Sequence, residues 1–206
     1  MTRQYSRRQM ITPTHIVINA MLPRLSTRLR SGLLSNPAAR RAFVIGGAAR
    51  DIPLYLLTAG AAAYYPLARG LSIDETFRLA FDGLFYTSPL WIIGQNALHS
   101  PVVAGALLLL SGHAFLARIP WLRAFAAGCL VHVAMDIPVH HDDGPLVFFP
   151  LSWTYRFASP VSYWDPAHYG NIMGPIDVGI TVVGSAILLG AFLRKRRADR
   201  RVPTAG

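Results

Sequence analysis

The sequence predicts an all-α integral membrane protein, a helical bundle of four to six membrane helices with a short interfacial helix near its N-terminus. Three observations carry that expectation. Hydrophobic residues make up 52% of the chain against 15% charged, with a mean hydropathy of +0.35, an apolar excess that water-soluble domains rarely carry. The apolar residues fall in long runs with few charges inside them. Basic residues flank those runs: the formal charge is +10, nearly all of it arginine, with Lys195 the only lysine. Arginine at the ends of apolar segments is how membrane proteins distribute positive charge. A nucleic-acid-binding domain clusters its cations on a polar face instead, so a lipid bilayer is the expected partner and nucleic acid is not. The length of 206 residues fits one membrane domain. It divides into a basic, amphipathic segment 1–41, a bundle 42–193 containing an aromatic connector 144–174, and a basic cytoplasmic tail 194–206.

Residues 1–9 are polar and basic, with Arg3, Arg7 and Arg8, and the apolar run 10–22 that follows contains His15. That run is too short to cross a bilayer comfortably and has no signal-peptide cleavage pattern, so it reads as the interfacial helix. The arginine-rich stretch 23–41 reads as an amphipathic connector with Gly32 and Asn36-Pro37 as breakers. The run 42–67 is interrupted at Arg50-Asp51-Ile52-Pro53. Proline fits the first turn of a helix, so a new helix is expected over 53–67, with Asp51 as its cap or near it. Ser72-Ile73-Asp74-Glu75 has the spacing of a capping box and should start a helix reaching about Tyr86. After the apolar stretch 89–98, the run 102–116 holds no charge and only Ser111 and His113 as polar residues, which makes it the best candidate for a crossing. Residues 117–123 form a tight basic turn with Arg118 and Arg123, and a helix is expected over 125–137, ended by Pro138. The connector 144–174, rich in Pro, Trp, Tyr and Phe, suits the membrane interface and is too long to be idle. The last run, 175–193, stops at Arg194-Lys195-Arg196-Arg197. These basic clusters put the tail and the 118–123 turn in the cytoplasm and the connector outside. The arginines before Arg41 prefer the side opposite the connector, which leaves the path of the first crossing open.

The chemistry concentrates at His132 and Asp136. Four residues apart on a helix, they project from one face, and in an apolar segment each needs a partner, which a divalent metal supplies to both. His140, His141, Asp142 and Asp143 follow directly and are candidate additional ligands. Other rare polar residues, His15, Asp51 and His99, stand at the ends of apolar segments. If those ends converge, His15, Asp51, His99, His132 and Asp136 form a nitrogen and oxygen ligand set suited to a catalytic zinc, with manganese or iron as alternatives. Such a metal lowers the pKa of its water to about 7, which is hydrolytic chemistry. Asp136 and Asp51 would ligate or act as general base, and Arg156 would neutralise developing negative charge. Plainer readings stand beside these. Asp51 is also a natural helix cap, His15 an amphipathic-surface residue, and 140–143 a solvated loop. His113 lies about 21 Å beyond His99 along a helix and reads as a packing residue. Cys129 cannot form an internal disulfide and reads as a small buried apolar side chain. A function of a different class, non-enzymatic binding or transport of metal ions or protons, uses the same polar residues.

Thr14-His15, Arg50-Asp51-Ile52-Pro53, Leu98-His99-Ser100, His132 with Asp136, and the segment 144–157 from Gly144-Pro145 to Arg156-Phe157 resemble, in order and spacing, the YdjM-like membrane-bound metal-dependent hydrolases. The resemblance covers about residues 12–157. It implies a multi-pass protein of the bacterial inner membrane, metal ligation by His15, Asp51, His99, His132 and Asp136, Arg156 near the site, and a small-molecule or lipid ester or phosphoester as substrate. Two departures stand out: the family's second motif carries a further carboxylate where this chain has Pro53, and Ala97 and Leu98 replace a basic residue and a threonine. His132, Asp136, Pro138 and His140 also resemble, more distantly, the ligand order of zinc-dependent phospholipase C.

Overall fold

A computed structural model of the protein describes residues 12–113 and 116–200. It is 74% helical, with no strand among the described residues. The basic N-terminal residues and the end of the tail lie outside the described residues. The helices are α1 (Thr12–Leu25), α2 (Thr27–Ser31), α3 (Pro37–Ala49), α4 (Asp51–Arg69), α5 (Ile73–Arg78), α6 (Phe85–Thr87), α7 (Pro89–Asn96), α8 (Pro101–Leu110), α9 (Leu122–Asp136) and α10 (Gly170–Asp199), with a π-helical stretch Leu79–Leu84 joining α5 to α6.

Local chemistry accounts for most of the boundaries. The capping box at Ser72 forms both of its bonds, Glu75 N–H to Ser72 Oγ at 3.2 Å and Ser72 N–H to Glu75 Oε2 at 2.8 Å. Asn36-Pro37 starts a helix instead of only breaking a connector: Asn36 Oδ1 accepts from Ala39 N–H at 2.8 Å and Pro37 occupies the first turn, where its missing donor is not needed. Ser100-Pro101 opens α8 in the same way. That helix ends at Leu110, so the run 102–116 is not one crossing helix; the chain turns at Ser111-Gly112 and forms a short 3-10 turn at Leu116–Arg118. α10 begins ahead of Pro175 and is 30 residues long.

Two helical segments, Leu122–Val139 and Gly170–Asp199, are long and apolar enough to cross a membrane. The pairs α3 with α4, bent by 41°, and α7 with α8, bent by 51°, raise the number to four if each pair is one broken span. On α4 and α10 large apolar side chains face outward: Leu56, Leu67, Val182 and Leu189 are each more than half exposed, an arrangement suited to a lipid surround.

The helix at the N-terminal end does not lie at the periphery. Thr14, His15, Val17 and Asn19 are buried, and α1 packs on α3, α9 and α10. Asn19 explains its depth: its amide donates to the carbonyls of Phe43 (3.0 Å) and Gly128 (3.2 Å), joining three helices. α3 and α9 touch backbone to backbone, since a Cβ on Gly46 would collide with the Phe125 carbonyl and one on Gly128 with the Phe43 carbonyl. Small residues at a helix crossing permit that approach.

Registers follow from these contacts. Gly47 meets His132 and Arg50 meets Asp136, so α3 and α9 run parallel. α1 runs against them, with Thr12 on Asp51 and Asn19 on Phe43 and Gly128. α10 runs with α1, Thr14 bonding Thr181 and Val17 facing Gly184. Consequently Arg24 at the end of α1, Arg40 and Arg41 at the start of α3, Arg123 at the start of α9 and Arg194–Arg197 at the end of α10 all lie at one end of the bundle. The rare polar residues gather away from it.

Candidate metal centre

Each residue of the cluster is delivered by a helix end or a helix break. α1 supplies His15 from its first turn. The junction of α3 and α4 supplies Arg50 and Asp51, the break between α7 and α8 supplies His99, and the last turn of α9 supplies His132 and Asp136. A 3-10 turn at Ile137–Val139, started by Pro138, carries the chain on to His140. Breaks place backbone ends and polar side chains inside an otherwise apolar body.

Asp136 is the hub and is fully buried. Its Oδ2 lies 2.8 Å from Arg50 NH2, 2.8 Å from His99 Nε2 and 3.0 Å from His132 Nε2. Its Oδ1 lies 3.0 Å from His15 Nε2 and 3.8 Å from His140 Nε2. The rings of His15 and His132 stack, centroids 3.5 Å apart and inclined by 18°. His15, His132 and Asp136 each offer a ligand atom within 4.8 Å of the others, so this buried group could hold a metal ion.

Hydrogen-bond satisfaction differs between the two carboxylate oxygens. Oδ2 is well partnered. Oδ1, His15 Nε2 and His140 Nε2 are buried and make no hydrogen bond, although they come from three separate segments and converge on one point. His132 is held by Nδ1, 2.6 Å from the Gly47 carbonyl; a ring N–H donated there leaves a lone pair on Nε2, which accepts from Arg50 Nε, a bond that a metal ligated at Nε2 would replace. His140 is held in the same manner by Asp143 Oδ1 at 2.9 Å. An imidazole whose far nitrogen is anchored on an oxygen is the usual supporting arrangement around a bound metal.

The remaining candidates occupy other positions. His99 belongs to the cluster and, as with His132, both of its nitrogens have partners, Asp136 on Nε2 and Arg50 Nη1 at 2.8 Å on Nδ1; it is His132, with His15 and Asp136, whose ligand atoms lie within 4.8 Å of one another. Asp51 shares Arg50 Nη2 with Asp136, at 2.9 Å, and accepts from Thr12 Oγ1 at 2.7 Å; it is the first residue of α4, without a side-chain cap bond preceding it. Arg156 donates to the Gly144 carbonyl and lies over the rings of Phe85 and Tyr86, 5.0 and 5.3 Å from their centroids. Burial lowers the pKa of that guanidinium, with Tyr86, Asp143 and Asp142 opposing. His141 turns to the Ser159 carbonyl and Asp142 is exposed. His113 is exposed beyond the end of α8, and Cys129 is a buried free thiol. Asp143 accepts from Trp164 Nε1 at 3.0 Å as well as from His140; burial pushes its carboxyl up, the His140 imidazole and the Trp164 donor outweigh that, and its pKa ends below the usual 3.8.

A cleft with about 40 Å³ of space for solvent opens beside the cluster, room for a few waters. Arg50, Asp51, Gln95, His99, His140 and Asp143 form its polar wall; Leu54, Tyr55, Phe85 and Tyr163 form the rest. No family model, curated protein or solved structure matches the chain. Two contributors escape a reading of the sequence for ligands, Arg50 and Asn19. Both carry a signal, being strongly polar residues set in apolar runs.

Proposed function

We propose that the protein is a multi-pass membrane hydrolase of the bacterial inner membrane, a YdjM-like enzyme in which His15, His132 and Asp136 hold one divalent cation, zinc first, for cleavage of an ester or phosphoester of an amphiphilic substrate. One observation carries the reading: His15 Nε2, His140 Nε2 and Asp136 Oδ1 are buried, converge within 3.0 and 3.8 Å, and have no hydrogen-bond partner. Stranded polar atoms of that kind are costly and rare; a cation bound by His15 Nε2 and Asp136 Oδ1 satisfies two of them and leaves the His140 Nε2 lone pair beside it. The donor set of imidazoles and one carboxylate fits zinc.

A cation held there supplies a water of lowered pKa and polarises a bound carbonyl or phosphoryl oxygen. The chain's own groups do the rest. Asp136 binds through Oδ1 and is oriented through Oδ2 by Arg50 and His99. Arg50, reaching the cleft, is positioned to stabilise negative charge that develops on a substrate oxygen. His140, anchored on Asp143, accepts or returns a proton at Nε2. Asp51 positions Arg50. Arg156, over the Phe85 ring that also walls the cleft, would meet an anionic group of the substrate from outside the cleft lining. Leu54, Tyr55 and Phe85 suit an apolar substrate body.

Orientation follows from the arginine-bearing end, which belongs in the cytoplasm. Thr181, level with the cluster, precedes Arg194 by about 20 Å along α10, so the cluster falls some two-thirds of the way across a hydrocarbon core of about 30 Å. The test is turnover of a phospholipid and phosphoester panel by detergent-purified, zinc- or manganese-loaded protein, with Asp136→Asn as control. Metal-dependent turnover lost in the variant is expected; no metal-dependent turnover on any substrate would overturn the proposal.

A second reading, movement of metal ions or protons, draws on the two broken spans meeting at the cluster, a construction that transporters use at their ion sites. It predicts zinc or proton flux into proteoliposomes that depends on His132.

A further inference from the structure

The end of the bundle away from the cluster carries positive charge that the protein does not balance. The chain has no Asp or Glu before Asp51, none between Asp82 and Asp136 and none between Asp177 and Asp199. Arg24, Arg40, Arg41, Arg123 and the run Arg194–Arg197 therefore share their end of the molecule with one carboxylate, Asp199. Among the described residues, arginine pairs with a carboxylate only at Arg50 and Arg78. Membrane orientation does not require this, since a few basic residues set it and neighbouring acids barely oppose them. It does not require arginine either, yet Lys195 is the chain's one lysine. A planar guanidinium grips phosphate through two parallel bonds, which an ammonium cannot do.

Part of this basic surface is rigidly built. Between α1 and α3 the chain forms a collar, 26–36, in which Ser26 Oγ accepts from Leu29 N–H at 3.3 Å, Leu34 N–H donates to the Leu29 carbonyl at 2.8 Å and Gly32 N–H to the Arg28 carbonyl at 3.0 Å. Leu34 is fully buried in one cluster with Phe43 and Ala124, and Leu29, Leu33 and Phe125 pack against that cluster. With the collar's leucines turned inward, Arg28 and Arg30 are left exposed, as are Arg41 near the start of α3 and Arg123 at the start of α9. Arg40 is half-buried; its Nη2 donates to the Ser35 carbonyl at 3.3 Å, and its Nε is buried without an acceptor. Trp121, 49% exposed and edge-on to Phe125, precedes Arg123 by two residues and suits the level at which headgroups meet acyl chains.

We propose that the collar arginines Arg28 and Arg30, with Arg41 and Arg123, bind the phosphate of an anionic glycerophospholipid in the leaflet at that end. The bound lipid fastens α1, α3 and α9 together where their loops and first turns meet. A zwitterionic lipid presents the same phosphate with a cation attached, so the uncompensated arginines favour a headgroup of net negative charge.

The proposal is independent of hydrolase activity, and lipid binding to the full-length protein in detergent tests it. Native mass spectrometry with equal phosphatidylglycerol and phosphatidylcholine should show the wild type retaining phosphatidylglycerol, less so as ionic strength rises. Arg28→Gln/Arg30→Gln/Arg41→Gln changes exposed side chains and should weaken phosphatidylglycerol binding about 10- to 100-fold. Arg28→Lys/Arg30→Lys/Arg41→Lys keeps the charge, and with it the fold, and should still lose several-fold. Arg194→Gln/Arg196→Gln/Arg197→Gln removes as many charges from the tail and should lose far less than the collar glutamine variant. Equal retention of the two lipids by the wild type would overturn the proposal. So would wild-type preference in the folded collar variants, or equal losses in the collar and tail glutamine variants, which would reduce the effect to net charge. Inorganic phosphate that displaces phosphatidylglycerol and raises the thermal midpoint as much would also overturn it, making the ligand a free anion.

Discussion

Replacing Asp136 by asparagine separates the two cations that can neutralise this carboxylate, the Arg50 guanidinium and a bound metal. Asp136 is fully buried and pairs with Arg50 NH2 at 2.8 Å, and removing one partner of a buried ion pair costs about 3–5 kcal/mol. Arg50 keeps Asp51 at 2.9 Å, and the asparagine oxygen still accepts one bond, so the lower figure of about 3 kcal/mol applies. In a domain of this size that loss lowers the thermal midpoint by about 6–12 °C. A bound cation adds a second, separable contribution: at one hundred times its dissociation constant it stabilises the folded state by about 2.7 kcal/mol. Thermal unfolding in detergent, followed by helical circular dichroism with zinc or with a chelator, reads both. The wild type should be stabilised by zinc, whereas Asp136→Asn should start lower and fail to respond. Arg50→Gln/Asp136→Asn removes the uncompensated guanidinium and should recover part of the lost stability without recovering the zinc response. A full zinc shift in Asp136→Asn would refute the assignment of this carboxylate as a ligand, and an unchanged midpoint without zinc would refute the buried ion pair.

Gly128→Ala should lower stability by about 1–3 kcal/mol, because its methyl group meets the Phe43 backbone; the thermal midpoint in detergent measures it, and zinc affinity should fall with it since the same crossing sets the bond from His132 to the Gly47 carbonyl. Asp143 has a folded pKa below its ordinary 3.8, so its contribution to holding the connector is present above that value and lost as pH falls through the lowered one. Pepsin cleavage within residues 140–169 should therefore rise on acidification below 3.8 in the wild type and show a smaller change in Asp143→Asn. With Cys129 buried and replaced by serine, Arg118→Cys and Asp142→Cys should be labelled by impermeant maleimide from opposite sides of the membrane, Asp142→Cys from outside; labelling of both from one side would refute the proposed topology.

Much of the cluster can be read from the sequence because helical spacing and helix punctuation are local. His132 and Asp136 share a face through their separation alone, Ser72 and Glu75 cap a helix through theirs, and Pro138 ends α9 where expected. Which residue of Arg50-Asp51 enters the cluster is not local. Neighbours on a helix point about 100° apart, and the 41° bend between α3 and α4 decides that Arg50 turns toward Asp136 while Asp51 turns toward Thr12. The same limit applies after Pro138, where an irregular backbone sends His140 inward and His141 to the Ser159 carbonyl. The depth of α1 was hidden because its length resembles that of a surface helix, and only the long-range bonds from Asn19 to Phe43 and Gly128 reveal that it is packed between partners.

Placing the cluster at helix ends resolves a conflict inherent in an apolar bundle. A continuous helix buried in hydrocarbon satisfies its own backbone and has little use for polar side chains, so a polar centre built on intact helices would strand them. At the break between α3 and α4, at the break between α7 and α8, and at the end of α9, backbone groups already need partners and the chain can turn polar side chains toward one another. The Gly47 carbonyl, in the last turn of α3, is used this way by His132. Charge does not balance within the cluster: Asp136 and Asp51 share the single guanidinium of Arg50, which leaves one negative charge for a further cation. The atoms left over are Oδ1 of Asp136, both ring nitrogens of His15 and Nε2 of His140; Oδ1 is an electron-pair donor, as is His140 Nε2 with its ring proton on Asp143 and His15 Nε2 in the Nδ1–H tautomer. A further hydrogen-bond acceptor would aggravate that arrangement, and a cation relieves it.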